Sequence, residues 1–182
     1  MKQAVPPAVS SIGVTMTNRV ADAVALLAKS GFVAGPADDR ALEAAQLRGV
    51  PACLLDFYRI ANGLFAVEGD DFPCPDGLRY RFQIVPVQCL KTVAEYGFAP
   101  QDSPLFNCLK RWWQFFDCGD SNWVGITDVD DGCRIVDLFH ETVGDPGSHA
   151  VIAHSLPEFL EKFAALKEMY WLSEHNDNRE YL

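Results

Sequence analysis

Between Asp117 and Asp145 the chain carries Asp117, Asp120, Asp128, Asp130, Asp131, Asp137, Glu141 and Asp145, against a single base, Arg134. Carboxylates massed on one stretch can ligate a cation or steer a positively charged protein. The cation reading fails at its best candidate, Asp128-Val129-Asp130-Asp131-Gly132. With Gly132 in the sixth position of a calcium loop, the first and third ligand positions fall on Thr127 and Val129. The segment reads instead as a hairpin turn, and the acids as a partner-binding surface.

Other residues invite sharper chemistry. His140, His149 and His154 lie close in sequence and could hold a metal. None has the i, i+4 spacing of a helical ligand pair, and no carboxylate pattern accompanies them, so ordinary strand-end histidines are the better reading. Cys118, His154 and Asp117 supply the residue types of a nucleophile, base and orienting acid. No nucleophile elbow supports that set, and no P-loop or dinucleotide-binding glycine pattern is present. Trp112, Trp113, Phe115, Phe116 and Trp123 could stack bases or sugars, but such platforms come with basic grooves. Core packing is the expectation for most of them. Apolar residues on both parities of the first strand leave one or two partly exposed.

Composition bounds these readings. The chain has 182 residues, 49% hydrophobic and 22% charged, with net charge −10 and a pI near 4.7. That length predicts one domain that needs no staples. The charge argues against nucleic acid and anionic membranes as partners. The six cysteines, Cys53, Cys74, Cys89, Cys108, Cys118 and Cys133, include no C-x-x-C pair. Residues 1–7 lack the apolar core of a signal peptide, and no run approaches a membrane span. The expectation is a cytoplasmic protein with reduced thiols, no metal and no cofactor.

The elements that position the acids can be read locally. Residues 1–15 read as a flexible lead, 16–172 as the domain and 173–182 as a polar tail. A helix is predicted from Thr17 to Lys29, and a second after Asp38 through Leu42, Ala45 and Leu47, closed by Gly49. Pro51 opens a third, with Leu54, Phe57, Tyr58 and Ala61 on one face and Asn62-Gly63 as its stop. Strands are predicted at 64–67 and 80–85, and a helix at 88–96. A meander follows: 112–116, 122–127, 133–140 and 149–153, the Asp131-Gly132 turn being a hairpin signal. Ser155-Leu156-Pro157-Glu158 fits a capping box for a last helix, with Phe159, Phe163, Leu166 and Tyr170 on one face.

In this order the elements resemble the SUKH superfamily, whose namesakes include the fungal Smi/Knr cell-wall assembly regulators. Val50-Pro51 through Asn62-Gly63 resembles its proline-initiated helix ending in Asn-Gly. Phe116 to Ile126 resembles its strand-turn-strand, Ile135 to His140 its next strand, and Ser155 to Leu160 its closing helix. The meander turn Cys118-Gly119-Asp120-Ser121-Asn122 is poorer in glycine than is usual there, and two inserts lengthen the chain. The resemblance implies a single α+β domain with a mostly antiparallel sheet flanked by helices. It implies no catalytic residues. Bacterial members are mostly inferred to be immunity proteins that neutralise secreted toxins, often nucleases, and fungal members are regulatory interaction proteins.

The combined expectation is a non-enzymatic immunity protein that binds a basic toxin domain through Asp117, Asp120, Trp123, Asp128, Asp130, Asp131, Glu141 and Asp145. The alternative is a regulatory or scaffold module of the same fold. Behind these stand an enzyme using His140, His149 or His154, and a small-ligand cleft lined by Tyr58 and the tryptophans.

Overall fold

The strand from Trp112 to Asp117 (β7) explains the architecture, because it is apolar on both faces. Trp113, Phe115, Phe116 and the following Cys118 enter the main core, whereas Trp112 enters a second, smaller one. A register shift between Gln114 and Phe116 lets the neighbours Phe115 and Phe116 both reach the main core. All four aromatic residues from Trp112 to Phe116 are buried, and of the five aromatics Trp123 on the next strand is the one left partly exposed. A sheet covered on both sides needs no polar face.

The computed structural model describes residues 11–29, 33–65, 72–73, 79–80, 82–97, 100–102, 104–119, 121–129, 132–143, 145, 147–166, 171 and 180–181. Helices α1 (Ser11–Lys29), α2 (Asp39–Leu47) and α3 (Ala52–Tyr58) come first. Short strands β1 (Val33–Ala34), β2 (Leu64–Phe65), β3 (Phe72–Pro73), β4 (Arg79–Tyr80), β5 (Gln83–Ile84) and β6 (Lys91–Thr92) surround and follow them. Helix α4 (Pro104–Leu109) precedes β7, which leads into β8 (Trp123–Val129), β9 (Gly132–Leu138), β10 (Val151–Ala153) and helix α5 (Leu156–Leu166). The main sheet runs β1-β2-β5-β7-β8-β9-β10, every pair antiparallel, with β6 beside β5 on the same edge of β7. β3 and β4 form a separate pair. The expected α+β class with an antiparallel sheet is therefore found.

Helices α1, α3 and α5 cover the main face. Phe116 of β7 lies 5.0 Å from Phe163 and 5.4 Å from Phe159 of α5, ring centre to ring centre and edge-on. The Pro51 helix behaves as its periodicity predicts: Leu54, Phe57, Tyr58 and Ala61 are fully buried. The Tyr58 hydroxyl donates to the Val85 carbonyl at 2.8 Å, tying α3 to the end of β5. Burial pushes that phenol far above its ordinary value, so it remains a neutral donor.

Caps hold where they are local. The Asp38 side chain accepts from the Ala41 N–H at 2.8 Å, and the Ser155 hydroxyl accepts from the Glu158 N–H at 3.3 Å. The Glu158 carboxylate returns to the His154 N–H at 3.0 Å, one residue earlier than a capping box requires. Asn62 is not the helix stop. The helix ends at Tyr58, and Asn62 Oδ1 instead accepts from the Val87 N–H at 2.8 Å, joining the following loop to the turn after β5. Gly63 does take the left-handed conformation, with φ of 96°.

Three expectations fail for tertiary reasons. The helix predicted at 88–96 is two 3₁₀ turns, Val87–Cys89 and Val93–Tyr96, separated by β6. Lys91 and Thr92 pair with Gln114 and Trp113 of β7, and a Thr92–Glu95 capping box starts the second turn. The strand predicted at 80–85 divides into β4 and β5, which join different sheets. Reduced thiols throughout are also not found, since Cys53 of α3 and Cys133 of β9 form a disulfide across 80 residues of chain. Cys89 and Cys108 are exposed thiols, Cys118 is a buried thiol, and Cys74 lies outside the described residues.

At the chain ends, α1 begins within the predicted lead, at Ser11. In the predicted tail, Tyr181 bridges to Ala150 and the Val151 N–H donates to the Glu180 carbonyl at 2.8 Å. Tyr170 and the loop at 68–71 lie outside the described residues.

Candidate functional site

Because β7, β8 and β9 are antiparallel, the acids near their turns go to opposite ends of the meander. At one end Asp117, Trp123 and Leu138 stand side by side; at the other, Trp112, Thr127 and Arg134 do. Trp123 and Asp128 are five strand steps apart, about 17 Å at 3.4 Å per residue. Asp117, Trp123, Glu141 and Asp145 belong to the first end, and Asp128 to the second. Asp120, Asp130 and Asp131 lie outside the described residues.

The Trp123 end is tied together by side chains. Half-buried Asp117 accepts from Gln83 Nε2 at 2.9 Å and from the Gly119 N–H at 2.8 Å. Gly119 and Ser121 are both left-handed, with φ of 80° and 77°, which turns the chain sharply between β7 and β8. Asn122 Oδ1 accepts from the His140 N–H at 3.0 Å and lies 2.9 Å from His140 Nδ1, which therefore carries the proton. These bonds join the β7–β8 turn to the chain leaving β9, where Glu141 is exposed. Asp145 is exposed in the next turn and accepts from the Ser148 hydroxyl at 2.7 Å. Half-buried Trp123 packs 6.5 Å from Tyr96, which is 41% exposed, and the Lys91 ammonium sits over the Tyr96 ring. Partial burial, then the charges of Asp117 and Glu95, push the Tyr96 phenol above its ordinary value. Carboxylates around a partly exposed aromatic pair are chemistry suited to a basic protein surface.

The histidines occupy three different environments. His140 is committed to Asn122. His149 is 1% exposed, its ring edge-on to Trp112 at 4.9 Å, with Nδ1 3.2 Å from the Asp137 carbonyl. Burial lowers its pKa despite that carbonyl and Asp145. His154 is exposed, 3.9 Å from Glu180. Among the described residues no three metal-ligating side chains cluster. Cys118 is buried in the main core, and Asp117 is engaged by Gln83 and Gly119. Tyr58 is wholly buried, so it does not line the expected ligand cleft.

Sequence reasoning missed a second feature at the opposite end. Arg48, Lys110 and Arg111 converge beside Trp113, around a cleft of about 310 Å³ that Asp128 also lines. A signal existed: Lys110-Arg111 are adjacent just before β7.

No family model matches the chain, no curated protein matches it significantly, and no solved structure does. No described helix is long and apolar enough to cross a membrane.

Proposed function

We propose that this chain is a non-enzymatic protein-binding domain of the SUKH type, an immunity protein that neutralises a basic toxin domain. Contact is made by the Trp123 end of the meander. The observation that carries this reading is that Asp117 meets the partly exposed Trp123 and Tyr96 at the end of the meander where β9 leaves for the turns bearing exposed Glu141 and Asp145. Such a surface has aromatic area for affinity and negative charge for steering. It narrows the contact proposed from sequence, since Asp128 stands at the far end.

The test is association kinetics with the protein encoded beside this gene. Glu141→Lys slows association several-fold at low salt, with the difference shrinking as salt rises. Asp128→Lys leaves the rate nearly unchanged. An unchanged rate in Glu141→Lys sinks the proposed contact.

An immunity protein of this kind works in the cytoplasm, where thiols are kept reduced. The Cys53–Cys133 bond favours a second setting, an oxidising compartment. Non-reducing mass spectrometry on the protein from fractionated cells separates the two.

A further inference from the structure

The cleft at the Trp113 end is lined by Arg48, Pro51, Lys110, Arg111, Trp113 and Asp128, which is three cations to one acid on a chain of net charge −10. Those cations come from two places: Arg48 caps the end of α2, and Lys110-Arg111 form the turn between α4 and β7. Each is oriented by a neutral oxygen. Arg48 Nη2 donates to the Leu90 carbonyl at 2.9 Å, Arg111 Nη2 to the Asp128 carbonyl at 3.0 Å, and Lys110 Nζ to Asn107 Oδ1 at 2.8 Å. Neutral acceptors fix a charge in place without cancelling it. Arg48 also forms a long ion pair with Glu95, Nη2 lying 3.5 Å from both carboxylate oxygens, so its charge is partly balanced, whereas Lys110 and Arg111 meet only neutral acceptors in these bonds.

The wall behind the cations is rigid. The Arg48 guanidinium lies over the Trp113 ring, 5.1 Å from its centre, and Trp113 is 3% exposed. The Cys53–Cys133 bond ties α3, two residues after Pro51, to the strand partner of Asp128. Preorganised guanidinium groups beside an ammonium match an oxyanion of two negative charges, which arginine forks hold bidentately. The cleft volume is about 310 Å³. It lies at the small end of ligand pockets, too small for a large cofactor.

We propose that this cleft binds the phosphoryl group of a small phosphate ester, through Arg48, Lys110 and Arg111. The site is separate from the acidic end and does not depend on the toxin-binding reading. Its ligand chemistry is shared by free phosphate and phosphorylated small molecules, so the test includes both.

The experiment is calorimetric titration of the full chain at low ionic strength with glucose 6-phosphate, inorganic phosphate and glucose. Saturable one-to-one binding of the ester, with glucose inert, is the expected result. Binding of the ester at least tenfold tighter than phosphate shows that the body of the molecule is also held. Equal affinities assign the site to the phosphoryl group alone. Arg111→Gln and Lys110→Gln, both at exposed positions, each weaken binding at least fivefold, whereas Arg19→Gln on α1 leaves it unchanged. Circular dichroism of each variant confirms folding. Absence of saturable binding by the parent chain overturns the proposal. So does undiminished binding in folded Arg111→Gln and Lys110→Gln, or binding of an acidic peptide with none of the phosphates.

Discussion

The Trp123 and Trp113 ends of the meander are held together in different ways. At the Trp123 end, Asp117 caps its own turn and accepts from Gln83 of β5, and Asn122 reaches the chain leaving β9. At the Trp113 end, Arg48, Lys110 and Asp128 come from distant segments, and main-chain carbonyls orient both arginines. The first is a charged turn braced by side chains of neighbouring segments. The second exists only if helices, loop and sheet are assembled correctly, so it is more sensitive to loss of tertiary packing.

Removing the shared core tests whether both ends depend on it. Phe116→Ala takes out a fully buried ring touching α5 and lowers stability by about 3–5 kcal/mol in denaturant unfolding. Both ends then weaken together. The disulfide separates them. Cys53→Ser lowers stability by about 2–4 kcal/mol, because it frees a long loop in the unfolded chain. Its functional effect falls on the cleft, where ligand affinity drops, while association at the Trp123 end keeps its rate.

Acid sharpens the contrast at the second core. His149 is held neutral by burial, with its pKa lowered in the folded chain. The unfolded chain therefore binds the extra proton, and stability present above about pH 6.5 is lost as pH falls through the lowered value. His149→Phe flattens thermal stability between pH 7 and 5. The carboxylates of Glu158 and Glu161 act in a lower window. Burial would raise Glu158, but the His154 N–H and Lys162 outweigh it, and the Arg19 fork lowers Glu161. Their contribution is lost only as pH falls below the ordinary carboxylate range.

The smallest effect belongs to the pair that touches neither end. Arg19 binds Glu161 bidentately between α1 and α5, at 2.7 and 2.6 Å, but both side chains are about half exposed. Arg19→Gln costs at most about 1 kcal/mol. A larger loss would mean that the α1–α5 contact frames the sheet more than the buried rings do.

Much of this was legible from residue spacing, and the failures share a cause. Leu54, Phe57 and Tyr58 are buried together because helical periodicity alone aligns them. The Asp38 and Ser155 caps form because donor and acceptor are three residues apart. The break between β4 and β5 and the strand β6 are not legible from spacing, because two-residue strands are defined by what pairs with them, here β3 for β4, β2 and β7 for β5 and β7 for β6. The separation of Asp117 from Asp128 was implicit in the meander, since antiparallel strands send successive turns to opposite ends. The cleft cations were visible as residue types, but their convergence was not.

What the sequence by itself determined is local: the α+β alternation, the capped helices, the meander and the excess of acid along it. These depend on contacts within a few residues, where spacing dictates geometry. The tertiary structure alone decided that both faces of β7 are covered, that Cys53 meets Cys133, and that Arg48 joins Lys110 and Arg111 over Trp113. Each joins residues roughly 60 to 80 positions apart or places one strand between two layers. Chain order does not encode that proximity; packing a doubly apolar strand does.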